Sequence, residues 1–141
     1  MGHILTPNGL KIDQSKVKAI LEAKIPDSKE SVRQLIGAAT FLARYAPNFS
    51  EVTAPLRELL RGKNEFLWEP TVHGVALNKL KELLTNAPVL SFFDCSKKTS
   101  IHVDASQHGL GACLRSGDKV VAYASRALSD TESRLMSQIE K

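Results

Sequence analysis

An aspartate on a strand with glycines across from it is the clearest chemical signal in the chain. Residues 101–114 read IHVDASQHGLGACL, and residues 120–128 read VVAYASRAL. Ile101, Val103 and Ala105 alternate with His102 and Asp104, so the carboxylate of Asp104 shares one face of a strand with His102. The following stretch alternates as well, with Leu110, Ala112 and Leu114 on one side and Gly109 and Gly111 on the other. The pattern predicts open space beside the strand that carries the acid. An acid on a cleared sheet surface is expensive to desolvate unless a cation neutralises it, which makes Asp104 a candidate ligand for a divalent metal. Two plainer readings fit the same residues: Asp-Ala-Ser caps a turn, and Gly-x-Gly marks a bulge. A single carboxylate is also not a site, because two-metal phosphoryl chemistry needs several carboxylates converging on ions about 4 Å apart.

A second cluster lies on a predicted helix opening near Asp27 and Glu30, a spacing like a capping box, and running to about Tyr45. Val32, Leu35, Ile36, Ala39, Leu42 and Ala43 recur at helical spacing and must face the core. The opposite side carries Arg33, Gly37, Phe41 and Arg44. A glycine in a helix interior costs about 1 kcal/mol against alanine. Its use there is close approach by something bulky. A nucleic-acid groove fits: arginines neutralise phosphates, the glycine admits the backbone, and the aromatic lies on a sugar or base. The alternative is that Phe41 packs on a neighbouring element and Gly37 lets two helices approach.

Other chemistries find no support. His3, His73, His102 and His108 have no zinc spacing, although His102 and His108 flank Asp104. No GxSxG occurs, and GLGA at 109–112 is too short for a dinucleotide loop. Cys95 and Cys113 lack metal-ligand spacing and read as reduced thiols of an intracellular protein, cytoplasmic or nuclear.

The elements that must position these groups are legible in outline. Residues 3–12 predict a hairpin turning at Pro7-Asn8-Gly9. Asp13 can cap a helix carrying Val17, Ile20 and Leu21, which Ile25-Pro26 ends. A third helix is expected over 53–61, with Pro55 in its first turn and Gly62 as its stop. After a polar joint at 63–65, Phe66 and Trp68 should plug the gap between the two halves. Thr71 should cap a helix reaching Thr85, with Val75, Ala76, Leu80, Leu83 and Leu84 inside. Three antiparallel strands are expected at 99–104, 109–115 and 119–125, followed by a helix capped by Ser129 or Asp130 and carrying Leu135 and Ile139. The fold class is α+β.

With 141 residues, 43% of them hydrophobic and 24% charged, the chain suits one globular domain or two small ones. No apolar run approaches the ~20 residues that span a bilayer, and no signal peptide is expected. The net charge is +4, and residues 1–62 hold nine basic and six acidic side chains, which mildly favours a polyanionic partner.

Taken in order, Phe66-Leu-Trp68, LKELL, NAPVL, HVDASQHGLGACL, VAYASRAL and IEK resemble the start of the ribonuclease H domain of gypsy-type LTR-retrotransposon reverse transcriptases. The resemblance implies that Asp104 is the first metal-binding carboxylate of that nuclease, with Mg²⁺ as cofactor in the complete enzyme. Glu140 and Lys141 match the first two letters of a Glu-Lys-Glu motif whose third letter lies beyond the sequence. Residues 31–62 resemble the thumb of reverse transcriptases, and 2–13 the end of the palm that forms the primer grip. The family's thumb helix enters the minor groove of the primer–template duplex through positions matching Arg33, Gly37 and Phe41. The layout implied is palm end 1–13, thumb 14–64 and partial ribonuclease H 65–141. The partners implied are an RNA–DNA hybrid or primer–template duplex and the rest of a pol polyprotein, with no membrane. Without the polymerase aspartates and the remaining nuclease carboxylates, the chain is expected to be inactive alone. The competing expectations are a non-catalytic nucleic-acid-binding or tether module, or a decayed remnant.

Overall fold

A computed structural model describes residues 3–62, 65–107 and 109–140, without the side chains of Met136, Ile139 and Glu140. The expectations placed on Lys63-Asn64, His108, Lys141 and the side chains of Ile139 and Glu140 lie outside the described residues.

The chain opens as a hairpin, β1 (His3–Thr6) and β2 (Gly9–Ile12), paired from His3↔Ile12 to Thr6↔Gly9. Gly9 takes φ +147°, a conformation side-chain-bearing residues rarely adopt. Just after it, Leu10 and Leu90 exchange both backbone hydrogen bonds, at 2.6 and 2.8 Å, so the hairpin is stitched to the distant 87–90 segment.

Helix α1 (Gln14–Leu21) is capped by Asp13, whose carboxylate accepts from the Ser15 N–H at 3.0 Å and the Ser15 hydroxyl at 2.8 Å. Helix α2 (Lys29–Thr40) is capped one residue later than the sequence suggests. Ser28 Oγ accepts from the Ser31 N–H, and Asp27 instead accepts from the Ser31 hydroxyl. The helix also ends five residues before Tyr45. At Leu42 the N–H turns to Ala39, three residues back, and a short 3₁₀ turn (Ala43–Tyr45) keeps Leu42, Tyr45 and Ala46 in the core.

Helix α3 (Phe49–Glu58) begins four residues before the sequence suggests. Asn48 enters it with φ +57°, and Phe49 is buried. Pro55 therefore stands inside the helix rather than in its first turn, where it withholds an N–H from the carbonyl four residues back. A single wide π turn (Pro70–Gly74) precedes α4 (Val75–Thr85). Thr71 is not its cap. The His73 ring accepts from the Glu69 N–H at 2.9 Å and lies against Trp68. Ala76, Leu80 and Leu84 are buried as expected, but Leu77 joins them and Val75 is exposed, because at 100° per residue Val75 lies well off the Leu80 side.

The remainder is an antiparallel meander, β3 (Thr99–Ala105), β4 (Gly109–Ser116) and β5 (Lys119–Ala127), and a last helix, α5 (Asp130–Glu140). Ser129 caps α5: its hydroxyl accepts from the Glu132 N–H while Glu132 accepts from the Ser129 N–H and from Arg126. Arg61 at the end of α3 pairs with Asp130.

One apolar core takes residues from β2, all of α1 to α4, Leu90 and the partly buried Phe66, Trp68, Val120 and Tyr123. Edge strand β3 contributes little to it, and Ile101 and Val103 are 65% and 69% exposed. Cys95 and Cys113 are free thiols. Among the described residues no helix is long and apolar enough to cross a membrane.

The Arg126 and Ser129 hydrogen bonds hold the Glu132 carboxyl down at about 2. A depressed carboxyl stabilises fully above its ordinary value near 4.5 and stops doing so as pH falls through the folded value. Helical chemical shifts in the first turn of α5 should therefore decay between about pH 4.5 and 2, and Glu132→Gln should remove that pH dependence. A first turn insensitive to acid in the unmodified chain would show that the capping box does not form in solution.

Candidate nucleic-acid interface

The solvent face of α2 and the turn after it hold the four residues singled out by spacing. Arg33, Gly37, Phe41 and Arg44 are all exposed. Arg33 pairs with Glu30 at 3.4 Å, a loose surface contact that phosphate can displace. A side-chain carbon built on Gly37 would meet nothing within 4 Å. Gly37 therefore admits no neighbouring helix of this chain, and the inter-helix alternative does not hold. The other half of that alternative holds in part: Phe41 does contact a neighbour, stacking on His3 with ring centroids 5.3 Å apart and planes 20° apart, yet it is 53% exposed.

His3 is the residue that sequence reasoning missed. Its Nδ1 hydrogen-bonds with the Tyr45 hydroxyl at 2.8 Å, and its ring also lies against Tyr45. Partial burial, and then the nearby Arg44 guanidinium, hold its pKa below the usual histidine value. A lone histidine at the start of a short strand gives no periodic signal, so only the fold could bring it to Phe41.

Asp104 stands apart from this face. It pairs across the sheet with Gly111, and Gly111 with Ser125, as the alternation requires. The space cleared by the glycines is filled on one side and open on the other, which corrects the expectation in part. A side-chain carbon on Gly111 would lie 3.2 Å from Asn48 Oδ1, and one on Gly109 would lie 3.2 Å from the Ser50 side chain. The start of α3 fills that space, fixed by the Ser50 N–H and hydroxyl on Ser125 Oγ at 3.1 and 3.0 Å. Toward α3, Asp104 borders a cavity of about 10 Å³, lined also by Asn48 and Glu51, with room for one water; on its other side the exposed Asp104 lines an open groove of about 170 Å³ with His102, Gly111 and Tyr123. The Asp104 carboxylate accepts from the Ala105 N–H at 2.9 Å.

The described residues alone do not complete a Mg²⁺ shell. The ion wants an octahedral oxygen shell, and the two-ion site wants several carboxylates. Among the described residues no three His, Cys, Asp or Glu side chains converge. His102 lines the same groove as Asp104 and contacts Ser100 at 3.5 Å, and His108 lies outside the described residues.

Comparison with known proteins covers both regions of the chain. The family described as "RNase H-like domain found in reverse transcriptase" matches residues 68–141. The whole chain is 33% identical over 141 residues to the retrovirus-related Pol polyprotein from transposon 297 of Drosophila melanogaster, spanning 13% of that protein. It is 32% identical over 114 residues, 81% of the chain, to the transposon Tf2-3 polyprotein of Schizosaccharomyces pombe, spanning 8% of it. Among solved structures, the foamy viral protease-reverse transcriptase in complex with RNA/DNA hybrid superposes over 99% of this chain and 20% of that one, with TM-score 0.82 and 22% identity. The same viral enzyme in complex with dsDNA superposes at TM-score 0.80, with 23% identity, over 99% of this chain and 31% of that one. At such identities the likeness shows the fold. Together with the α+β architecture, these matches place the chain in the reverse-transcriptase RNase H-like family, as a segment of an LTR-retrotransposon Pol polyprotein.

Proposed function

We propose that this chain is the duplex-holding segment of a retrotransposon reverse transcriptase, comprising the palm end at 1–13, the thumb at 14–64 and part of the ribonuclease H domain from 65. The observation that carries this is the α2 face. A half-exposed Phe41 stands beyond a Gly37 with nothing packed above it, flanked by two exposed arginines. Such a face matches the minor groove of a primer–template duplex or RNA–DNA hybrid, with Arg33 and Arg44 on phosphates and Phe41 on the sugar edge.

The test is fluorescence anisotropy of a labelled RNA–DNA hybrid across a salt series. Binding should be weak and strongly salt-dependent, and Arg33→Ala and Arg44→Ala should each lower the salt slope by about one. Binding indifferent to both substitutions removes the proposal. Gly37→Ala separates holding from folding. It should stabilise the chain by up to about 1 kcal/mol in urea unfolding while weakening hybrid binding. A variant that stabilises without weakening binding would place the duplex elsewhere.

Asp104 is proposed to serve as one of several nuclease carboxylates in the complete enzyme, and the chain by itself to be catalytically silent. No hybrid cleavage is expected in Mg²⁺, with or without Asp104→Asn. Cleavage that Asp104→Asn abolishes would make this segment a nuclease in its own right. The seating of α3 beside Asp104 favours one further reading, in which this half-domain acts as a non-catalytic tether under the thumb.

A further inference from the structure

We propose that His3 is a positioning residue for the nucleic-acid face, holding Phe41 in place and coupling the β1–β2 hairpin to it. The inference rests on the duplex-binding reading above. Phe41 follows the last residue of α2, where the backbone passes from α to 3₁₀ geometry, so the helix alone does not fix its ring. His3 supplies the missing constraint by near-parallel stacking. His3 is in turn anchored by Tyr45, which is wholly buried and hydrogen-bonded to it. The three rings form a column from the core outwards: Tyr45, His3, Phe41. The outer face of Phe41 is then presented at a defined height above Gly37. Because His3 belongs to the hairpin and Tyr45 to the turn after α2, a shift of either strand relative to the helix would move the contact ring.

The experiment uses the full chain and a fluorescein-labelled 18-base-pair RNA–DNA hybrid, with a melting curve for each variant. Phe41→Ala and His3→Ala should each weaken binding by about threefold to tenfold. The double variant should bind no more weakly than Phe41→Ala alone, because the effect of His3 passes through Phe41. His3→Phe, which keeps the stack without the Tyr45 hydrogen bond, should recover most of the binding lost in His3→Ala, and Tyr45→Phe should weaken it only slightly. Additive losses in the double variant, or His3→Phe no better than His3→Ala, would overturn the positioning role while leaving the interface intact. If Phe41→Ala itself has no effect, the duplex reading fails, and the role of His3 with it.

Discussion

Gly9→Ala is expected to remove about 3 kcal/mol or more of folding stability, the largest loss of any single methyl addition in the chain. Two effects combine. The backbone at Gly9 has φ +147°, where a side chain is strained whatever its surroundings. The added carbon would also lie 2.0 Å from the Leu90 carbonyl oxygen and 2.9 Å from its carbon. That oxygen cannot retreat, because it accepts the Leu10 N–H at 2.6 Å, and Leu90 is itself buried. The hairpin must peel from the 87–90 segment or the sheet contact must break. Urea unfolding, with Gly37→Ala as the reference of opposite sign, measures the effect. A loss below about 1 kcal/mol would mean that the hairpin is not seated on Leu90 in solution.

This pairing also marks the limit of what the sequence discloses. Features set by neighbours in the chain were legible. The core stripe of α2 follows from its 3.6-residue period, and Val32, Leu35, Ala39 and Leu42 are indeed buried. Alternation located all three strands of the meander within two residues, and Asp13 capped its helix as expected. Features set by distant residues were not. The early start of α3 depends on a left-handed Asn48, which no propensity announces, and Pro55 reads equally well as a first-turn proline. The π turn before α4 has no signal in the sequence, and it delays the regular helix to Val75, four residues after the expected Thr71 cap. At the candidate site, spacing could find Arg33, Gly37, Phe41 and Arg44 because they share a helix and the turn after it. It could not find His3, more than thirty residues earlier. Nor could it show that part of the space beside Gly109 and Gly111 is taken by residues from another element.

That filling sets the second large effect. Gly109→Val is expected to lose about 3 kcal/mol through overpacking, and Gly111→Val clearly less. The order follows from what each side chain would meet. A carbon on Gly109 would lie 3.1 Å from the Arg126 carbonyl and 3.2 Å from Ser50 Cβ, between a sheet neighbour and the first turn of α3. Neither moves without breaking the β4–β5 ladder or lifting the helix. The carbon on Gly111 meets the amide oxygen of Asn48 at 3.2 Å, the end of an exposed side chain that can rotate aside. Lifting α3 also breaks the two hydrogen bonds from Ser50 to Ser125, so amide exchange at Ser50 should quicken in Gly109→Val and stay protected in Gly111→Val. The comparison bears directly on Asp104. If the two valines are equally mild and the Ser50 amide exchanges freely even in the unmodified chain, α3 does not rest on the sheet in solution. If Gly109→Val alone frees Ser50, the glycines of this strand serve helix packing. Asp104, exposed at the edge of that contact, keeps its access to solvent either way.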